Sequence, residues 1–167
     1  FYWGVTAAAA DAKSVWFGSD RGLLARFDRK SRRWSIPFRF PGRKVVKLAV
    51  DKRGLLWAQT APFEKGNLPE VLKSIPEIKS KGLAVFDGEN WRERSGQMPS
   101  QREGERYLWK FKQGNFLFRS DRETGREKKV AYLKGVYQPS VLTVDDKGDA
   151  LWIKTYDGVV RTELSEL

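Results

Sequence analysis

Residues 11–24 read Asp11-Ala-Lys-Ser-Val-Trp16-Phe-Gly-Ser-Asp-Arg-Gly22-Leu-Leu, and this short pattern recurs along the chain. A second copy opens as Asp51-Lys-Arg-Gly-Leu-Leu-Trp57 and resumes at residue 82 after an insertion, and a third runs from residue 145 to residue 160. Each copy places a polar turn before an apolar residue and a tryptophan, and then a glycine before another apolar run. The pattern predicts a repeated antiparallel hairpin, because turn residues between two apolar runs are its signature.

The period of the repeat indicates the architecture. Trp16, Trp57, Trp109 and Trp152 stand 41, 52 and 43 residues apart, with Trp109 in a degenerate copy. A repeat of roughly 40 residues with several strands in each copy is typical of propeller blades. We therefore predict an all-β fold, a β-propeller of four-stranded antiparallel blades with about four blades in this chain. Two alternatives remain open for the ring, which is either complete and small or part of a larger one.

The alternation of apolar and polar residues predicts the individual strands. In the first two units they cover residues 5–10, 15–19, 23–28, 32–38, 45–50, 55–60, 82–86 and 91–94. In the last two they cover residues 107–111, 116–119, 128–133, 141–144, 150–154 and 159–162, with a weaker strand at 100–105. Trp34 is expected to face inward from the outer strand of the first unit.

Two segments fall outside the regular pattern. Residues 61–81 form an insertion within the second blade, where Leu68, Leu72 and Ile75 stand at helical spacing and predict a short helix across one blade end. Asn67 is a candidate cap, Pro69 sits in the first turn and Pro76 would end the helix. The fourth unit lacks an outer strand. The β-prone residues 1–3 either supply it and close the ring or end a preceding blade, and we favour the second alternative.

The composition restricts the chemistry. The chain of 167 residues contains no Cys and no His, which excludes cysteine nucleophiles, Ser-His triads and zinc sites built from these residues. No apolar run approaches the roughly 20 residues that span a bilayer. The length fits a single domain, residues 1–167. We expect no catalytic residue, no metal site and no cofactor.

The positive charge is concentrated near the N-terminus. The net charge is +11, and residues 1–50 hold 11 Lys and Arg against 3 Asp and Glu. Seven of these cations form the predicted anion- or partner-binding site: Arg29, Lys30, Arg32, Arg33, Arg39, Arg43 and Lys44. The first four lie at the turn between strands three and four, and the others lie in or beside the connection to the next blade. If that turn and that connection fall near the same rim, the seven side chains form one patch.

The ligand of this patch has several candidate chemistries. Arg binds phosphate, sulfate and carboxylate groups through two parallel hydrogen bonds. An anionic glycan, a lipid head group and an acidic protein all fit this preference. Nucleic acid is not expected, because no known nucleic-acid-binding motif is present.

The repeat resembles the bacterial two-component regulator propeller repeat. That family has an apolar strand, an Asp-x-x-Gly turn, a Leu-Trp pair, a Gly-Leu pair and an aromatic residue before an Asp-Gly turn. The second unit matches best, with Asp51-Lys-Arg-Gly54, Leu56-Trp57, Gly82-Leu83, Phe86-Asp87-Gly88 and Trp91. The fourth unit matches through Asp145-Asp-Lys-Gly148 and Leu151-Trp152. The resemblance implies a propeller and, as is common for such repeats, an extracytoplasmic (periplasmic) sensing part of a bacterial signalling protein.

The functional expectation follows from these features. We expect a non-catalytic, sensor-type binding module whose ligand or partner is held by loops at a blade end. The alternatives are a scaffold for protein assembly that uses the 61–81 insertion, and an enzyme acting on a polyanionic polysaccharide. Fold alone does not decide between them.

Overall fold

The computed structural model describes residues 4–63, 69–99, 107–144 and 150–166. The chain divides into two compact units, Phe1–Gln101 and Arg102–Leu167. Unit 1 contains two four-stranded antiparallel sheets whose strands follow sequence order. The strands are β1 (Val5–Ala10), β2 (Ser14–Ser19), β3 (Leu23–Asp28), β4 (Arg33–Arg39), β5 (Arg43–Val50), β6 (Leu56–Pro62), β7 (Leu83–Phe86) and β8 (Trp91–Arg94). We call β1–β4 the first blade and β5–β8 the second blade.

Unit 2 contains two further antiparallel sheets, each with three strands among the described residues. The strands are β9 (Tyr107–Lys112), β10 (Phe116–Asp121), β11 (Glu127–Tyr132), β12 (Ser140–Val144), β13 (Ala150–Thr155) and β14 (Gly158–Glu163), followed by a 3-10 turn at Leu164–Glu166. The four sheets confirm the predicted all-β fold of antiparallel blades. The two remaining predicted strands, at 100–105 and at residues 1–3, fall outside the described residues.

The repeated Asp and Trp form one hydrogen-bonded element in unit 1. The Asp11 carboxylate accepts the backbone N–H groups of Lys13 and Ser14, both at 2.7 Å, and its second oxygen accepts the Trp16 indole N–H at 3.3 Å. In the second blade the Asp51 carboxylate accepts the Trp57 indole N–H at 3.0 Å. The motif that defines the repeat thus closes the turn and holds the tryptophan on the second strand.

The two blades of unit 1 pack face to face with their inner strands side by side. The Thr6 hydroxyl donates to the Val45 carbonyl at 2.5 Å, and a Cβ added at Gly18 would lie 2.3 Å from the Val45 side chain. These contacts place the starts of β1 and β5 together. At the opposite end, the Trp16 and Phe86 rings meet at 5.8 Å. The two sheets therefore run in the same direction and share two rims.

The turn rim consists of the hairpin turns 11–13, 29–33, 51–54 and 87–90. The connector rim consists of residues 20–22, 39–44 and 76–82. Backbone bonds hold each rim together: the Arg29 N–H donates to the Lys13 carbonyl at 3.0 Å on the first, and the Phe40 N–H donates to the Gly22 carbonyl at 2.8 Å on the second.

Aromatic rings fill the interface between the two blades. Phe86 and Trp91 stack at 5.1 Å, and Phe38 contacts both, at 5.3 and 5.9 Å. Trp34 differs from its prediction. It packs on Phe27 at 5.1 Å and yet stays 49% exposed, because β4 is the outermost strand of its sheet.

The insertion packs onto the first blade, and its helix is shorter than the sequence predicts. The helix α1 covers only Glu70–Lys73, beginning after Pro69 and ending at Ser74. The candidate cap Asn67 and the apolar Leu68 lie outside the described residues. Beyond α1, Glu77 forms a parallel bridge with Arg39 at the end of β4. The insertion therefore crosses from the second blade to the outer strand of the first.

Unit 2 has its own core. Trp109, Leu117, Leu151 and Ile153 are buried in one cluster between the two sheets, and β9 lies beside β12. The Asn115 side-chain amide donates to the carbonyls of Leu133 and Val136, at 2.9 and 2.6 Å. The buried tryptophans of this unit occupy the core positions that the repeat predicts.

Candidate anion-binding rim

The seven predicted cations lie at opposite ends of the first blade. Arg29, Lys30, Arg32 and Arg33 lie at or beside the turn that joins β3 to β4, on the turn rim. Arg39, Arg43 and Lys44 lie at the end of β4 and the start of β5, on the connector rim. The seven-residue strand β4 separates the two groups by roughly 20 Å. The condition for one patch is not met, because the turn and the connection are at opposite ends of a strand.

Three of the four predicted cations on the turn rim are exposed. Lys30, Arg32 and Arg33 are exposed to solvent and form no ion pair among the described residues, while Arg29 is half-buried. Arg32 has a φ of 55°, in the left-handed region that normally suits glycine. A strained non-glycine residue in a turn is a reason to look for a role of its side chain.

The Asp28 carboxylate, at the start of the same turn, accepts hydrogen bonds from within the turn. The Asp28 carboxylate accepts the Ser31 backbone N–H and the Ser31 hydroxyl, both at 2.8 Å. These hydrogen bonds hold the pKa of Asp28 below its ordinary value. Its nearest ion pair is with Arg26 on β3, at 3.5 Å, and not with the arginines of the turn. Asp28 therefore shapes the turn and does not pair with Lys30, Arg32 or Arg33.

The same arrangement recurs in the neighbouring turns. Burial of Asp51 opposes ionisation, but hydrogen bonds from Trp57, Leu55 and Arg53 outweigh it and lower the pKa of this carboxyl. Lys13 and Lys52, on the inner turns of the two blades, are exposed and form no ion pair within the described part of the chain. The sequence prediction did not include these two lysines. The sequence contains a signal for them, since Lys13 and Lys52 each lie within two residues of the turn aspartate.

The outer turn of the second blade has the opposite charge. Asp87 accepts the backbone N–H groups of Asn90 and Glu89, at 2.8 and 3.0 Å, and these bonds lower its pKa. Its ion pair with Arg92 spans 3.3 Å, whereas the exposed Glu89 has no ion pair among the described residues. The turn rim is thus positive over the first blade and negative at its far corner.

Two cations of the connector rim have partners inside the protein. Arg39 is 8% exposed and donates to the carbonyls of Ile75 and Lys73, both at 3.2 Å, and it pairs with Glu77. Arg43 donates to the hydroxyl and the carbonyl of Thr60, at 2.7 and 3.2 Å. Both arginines are therefore engaged in contacts that stabilise the fold. Lys44 is exposed.

Three lysines of the β9–β11 sheet in unit 2 are also engaged internally. Lys112 and Lys110 contact the Glu127 carboxylate at 2.5 and 3.0 Å, which lowers the pKa of Glu127 to about 2 and raises that of Lys112. The Lys129 ammonium lies 3.6 Å from the Phe116 ring centroid. Lys30, Arg32 and Arg33 of the turn rim differ from these three lysines, because their charged groups are exposed and form no ion pair among the described residues.

Among the described residues, no group of three or more His, Cys, Asp or Glu side chains could hold a metal ion. No helix in that part of the chain is long and apolar enough to cross a membrane.

Comparison with known proteins finds similar solved structures. The extracellular domain of BT4673 from B. thetaiotaomicron, described in one structure as a one component system and in another as a hybrid two component system, matches with TM-scores of 0.38 and 0.36 and identities of 15% and 16%. A streptogramin B lyase matches with a TM-score of 0.33 and 15% identity. Each covers 96% of this chain, which spans 21% of the BT4673 domains and 68% of the lyase. No protein-family model and no curated protein matches.

Proposed function

We propose that this chain is a non-catalytic binding module that holds an anionic ligand on the turn rim of its first blade. One observation carries the proposal: Lys30, Arg32 and Arg33 are exposed on a single turn, and the carboxylate of that turn is engaged by its own backbone. Guanidinium and ammonium groups in this state bind phosphate, sulfate or carboxylate. The site differs from the sequence prediction in leaving out the connector-rim residues Arg39, Arg43 and Lys44 and in adding Lys13.

The chemistry of the rim supports binding rather than catalysis. A general acid needs a raised pKa, and the turn carboxylates of Asp28, Asp51 and Asp87 have lowered ones. They stay ionised and act as acceptors for backbone N–H groups. An extracytoplasmic location and a sensing role are part of the proposal, and they rest on the resemblance of the repeat.

A pair of matched variants tests the proposal. In the full chain, Lys30, Arg32 and Arg33 are changed to Gln, and a control changes Lys44, Lys79 and Lys81 to Gln. Lys79 and Lys81 are exposed beside the connector rim, so both variants remove three exposed charges. Binding of inositol hexakisphosphate, a compact anion, and of dextran sulfate, an extended one, is measured by titration calorimetry.

We expect the turn-rim variant to lose about tenfold in affinity for at least one probe, since each exposed charge contact contributes up to about 1 kcal/mol. The control should stay within about twofold, and binding to the unchanged chain should weaken as salt is raised. The proposal is wrong if the two variants lose affinity equally, because the net charge would then explain the binding.

A further inference from the structure

We propose that the anions recognised by the turn rim are phospholipid head groups, so that this rim docks on the surface of an anionic membrane. The inference rests on the proposed function and names the source of its ligand. It concerns attachment to a surface through exposed charges and requires no segment that enters the bilayer.

The exposed cations of the turn rim are spread over three neighbouring turns. Lys13 and Lys52 lie on the inner turns of two adjacent blades, and Lys30, Arg32 and Arg33 lie on the outer turn of the first. The Arg29–Lys13 backbone bond and the packing of the two blades hold these turns at the same end of their sheets. Exposed cations on the tips of several adjacent turns can contact a plane of anions at the same time.

The tips of these turns carry no apolar anchor. Residues 11–13, 29–33, 51–54 and 87–90 include no aromatic side chain. Within the described part of the chain, Trp34 is the exposed large hydrophobic residue next to these turns, directly after Arg33, and its ring packs on Phe27 at 5.1 Å. The other exposed large hydrophobic residues lie outside the four turns: Val46, Val71, Tyr132, Tyr137, Tyr156 and Val160. A protein interface normally has an apolar or aromatic centre, and a single-stranded nucleic acid stacks its bases on aromatic rings. A layer of head groups is bound by basic residues alone, about fivefold for each one near the surface.

The charge at the far corner of the turn rim indicates the orientation on the membrane. Glu89 at the far corner of the turn rim is exposed and without an ion pair among the described residues. A negative surface repels this corner and attracts the turns of the first blade. We therefore infer that the first blade faces the membrane and that the outer turn of the second blade tilts away from it.

Vesicle sedimentation tests the inference with the full chain. One set of vesicles contains phosphatidylcholine and phosphatidylglycerol at about 7:3, and the other contains phosphatidylcholine alone. At low salt we expect binding to the first set only, with release as salt is raised. The triple variant Lys30→Gln, Arg32→Gln, Arg33→Gln should bind about a hundredfold more weakly. The Lys44, Lys79 and Lys81 control should change less than threefold, and Glu89→Lys should bind several-fold more tightly.

The outcomes separate this inference from the proposed function. If the anionic vesicles do not bind while inositol hexakisphosphate or dextran sulfate binds through Lys30, Arg32 and Arg33, the membrane inference is overturned and the proposed function stands. If no probe depends on these three residues, both fail. Equal binding to both kinds of vesicle would also overturn the inference, because it would indicate apolar contact.

Discussion

The two ends of strand β4 use arginine in opposite ways. At the connector rim, Arg39 is buried under the insertion and its guanidinium is bound by backbone carbonyls and by Glu77. At the turn rim, Arg33 begins the same strand, is exposed and has no ion pair among the described residues. The role of a cation in this blade therefore depends on whether another segment covers it. The insertion covers one end of the blade and leaves the other available.

The largest predicted difference between the two rims is the loss of stability when a glycine is changed to alanine. Gly22 on the connector rim has a φ of 75°, and a Cβ there would lie 2.3 Å from the Phe40 carbonyl oxygen and 2.4 Å from that of Arg43. Gly54 on the turn rim has a φ of 79° with nothing within 4 Å. We expect Gly22→Ala to lower the free energy of unfolding by about 3 kcal/mol or more, and Gly54→Ala by about 1 kcal/mol. Urea denaturation of both variants measures this, and equal losses would contradict it.

The next largest effect on stability is expected when Arg39 and Arg33 are changed to alanine. Arg39→Ala leaves the carbonyls of Lys73 and Ile75 without their side-chain donor, and we expect a loss of about 2–3 kcal/mol in the free energy of unfolding. Arg33→Ala should change it by less than about 0.5 kcal/mol. Hydrogen exchange gives a second measurement, because the Ile78 N–H donates to the Arg39 carbonyl at 2.8 Å. Protection of Ile78 should fall in the first variant only.

A third prediction compares the carboxylates of the turn rim with Glu127 of unit 2. Glu127 has its pKa lowered to about 2 by Lys112 and Lys110, whereas backbone N–H groups lower the pKa of Asp87. We expect about 1 M salt to raise the pKa of Glu127 towards 4.5 more than it raises that of Asp87, because salt screens exposed charge pairs. An NMR titration measures both. Similar shifts at the two sites would contradict the assignment of causes.

The sign of the pH dependence follows from the same pKa values. A folded-state pKa below the unfolded value stabilises the fold at pH values above the unfolded pKa, and this contribution is lost as the pH falls through the folded pKa. For Glu127 the window lies between about 4.5 and about 2. Glu127→Gln should lose less stability than the unchanged chain as the pH falls through this window. Thermal unfolding at a series of pH values measures the difference.

The smallest effect concerns the strained arginine of the turn rim. Arg32→Gly relieves a φ of 55°, so we expect the free energy of unfolding to rise by up to about 0.5 kcal/mol, limited by the greater freedom of glycine in the unfolded chain. Affinity for the anionic probe should fall at the same time. A variant that loses both stability and affinity would show that Arg32 serves the fold rather than the ligand.

Much of the fold could be predicted from the sequence. The predicted strands 5–10, 23–28 and 91–94 have the observed bounds, because Asp turns, positive-φ glycines and apolar alternation act locally. The helix was predicted longer than α1, whose described part spans only four residues between Pro69 and Ser74. Trp34 was predicted to face inward, and its half-exposed state depends on β4 lying at the edge of the sheet.

The candidate site could be predicted only in part. The basic turn at residues 29–33 was recognisable, because a run of like charges in a hairpin turn is exposed in almost any packing. The tasks of Arg39 and Arg43 were not recognisable. Their partners Glu77 and Thr60 lie 38 and 17 residues away in the sequence and meet them only after the insertion and β6 have packed.

The sequence by itself determined the repeat, the sheets and the excess of positive charge, since turns and strands depend on near neighbours. Tertiary structure alone decided which cations are bound inside the protein. The insertion binds Arg39 and Thr60 on β6 binds Arg43, and both contacts join residues that lie far apart in the sequence. The physical reason is that a charge is neutralised by the groups within a few ångströms of it, and these are set by packing.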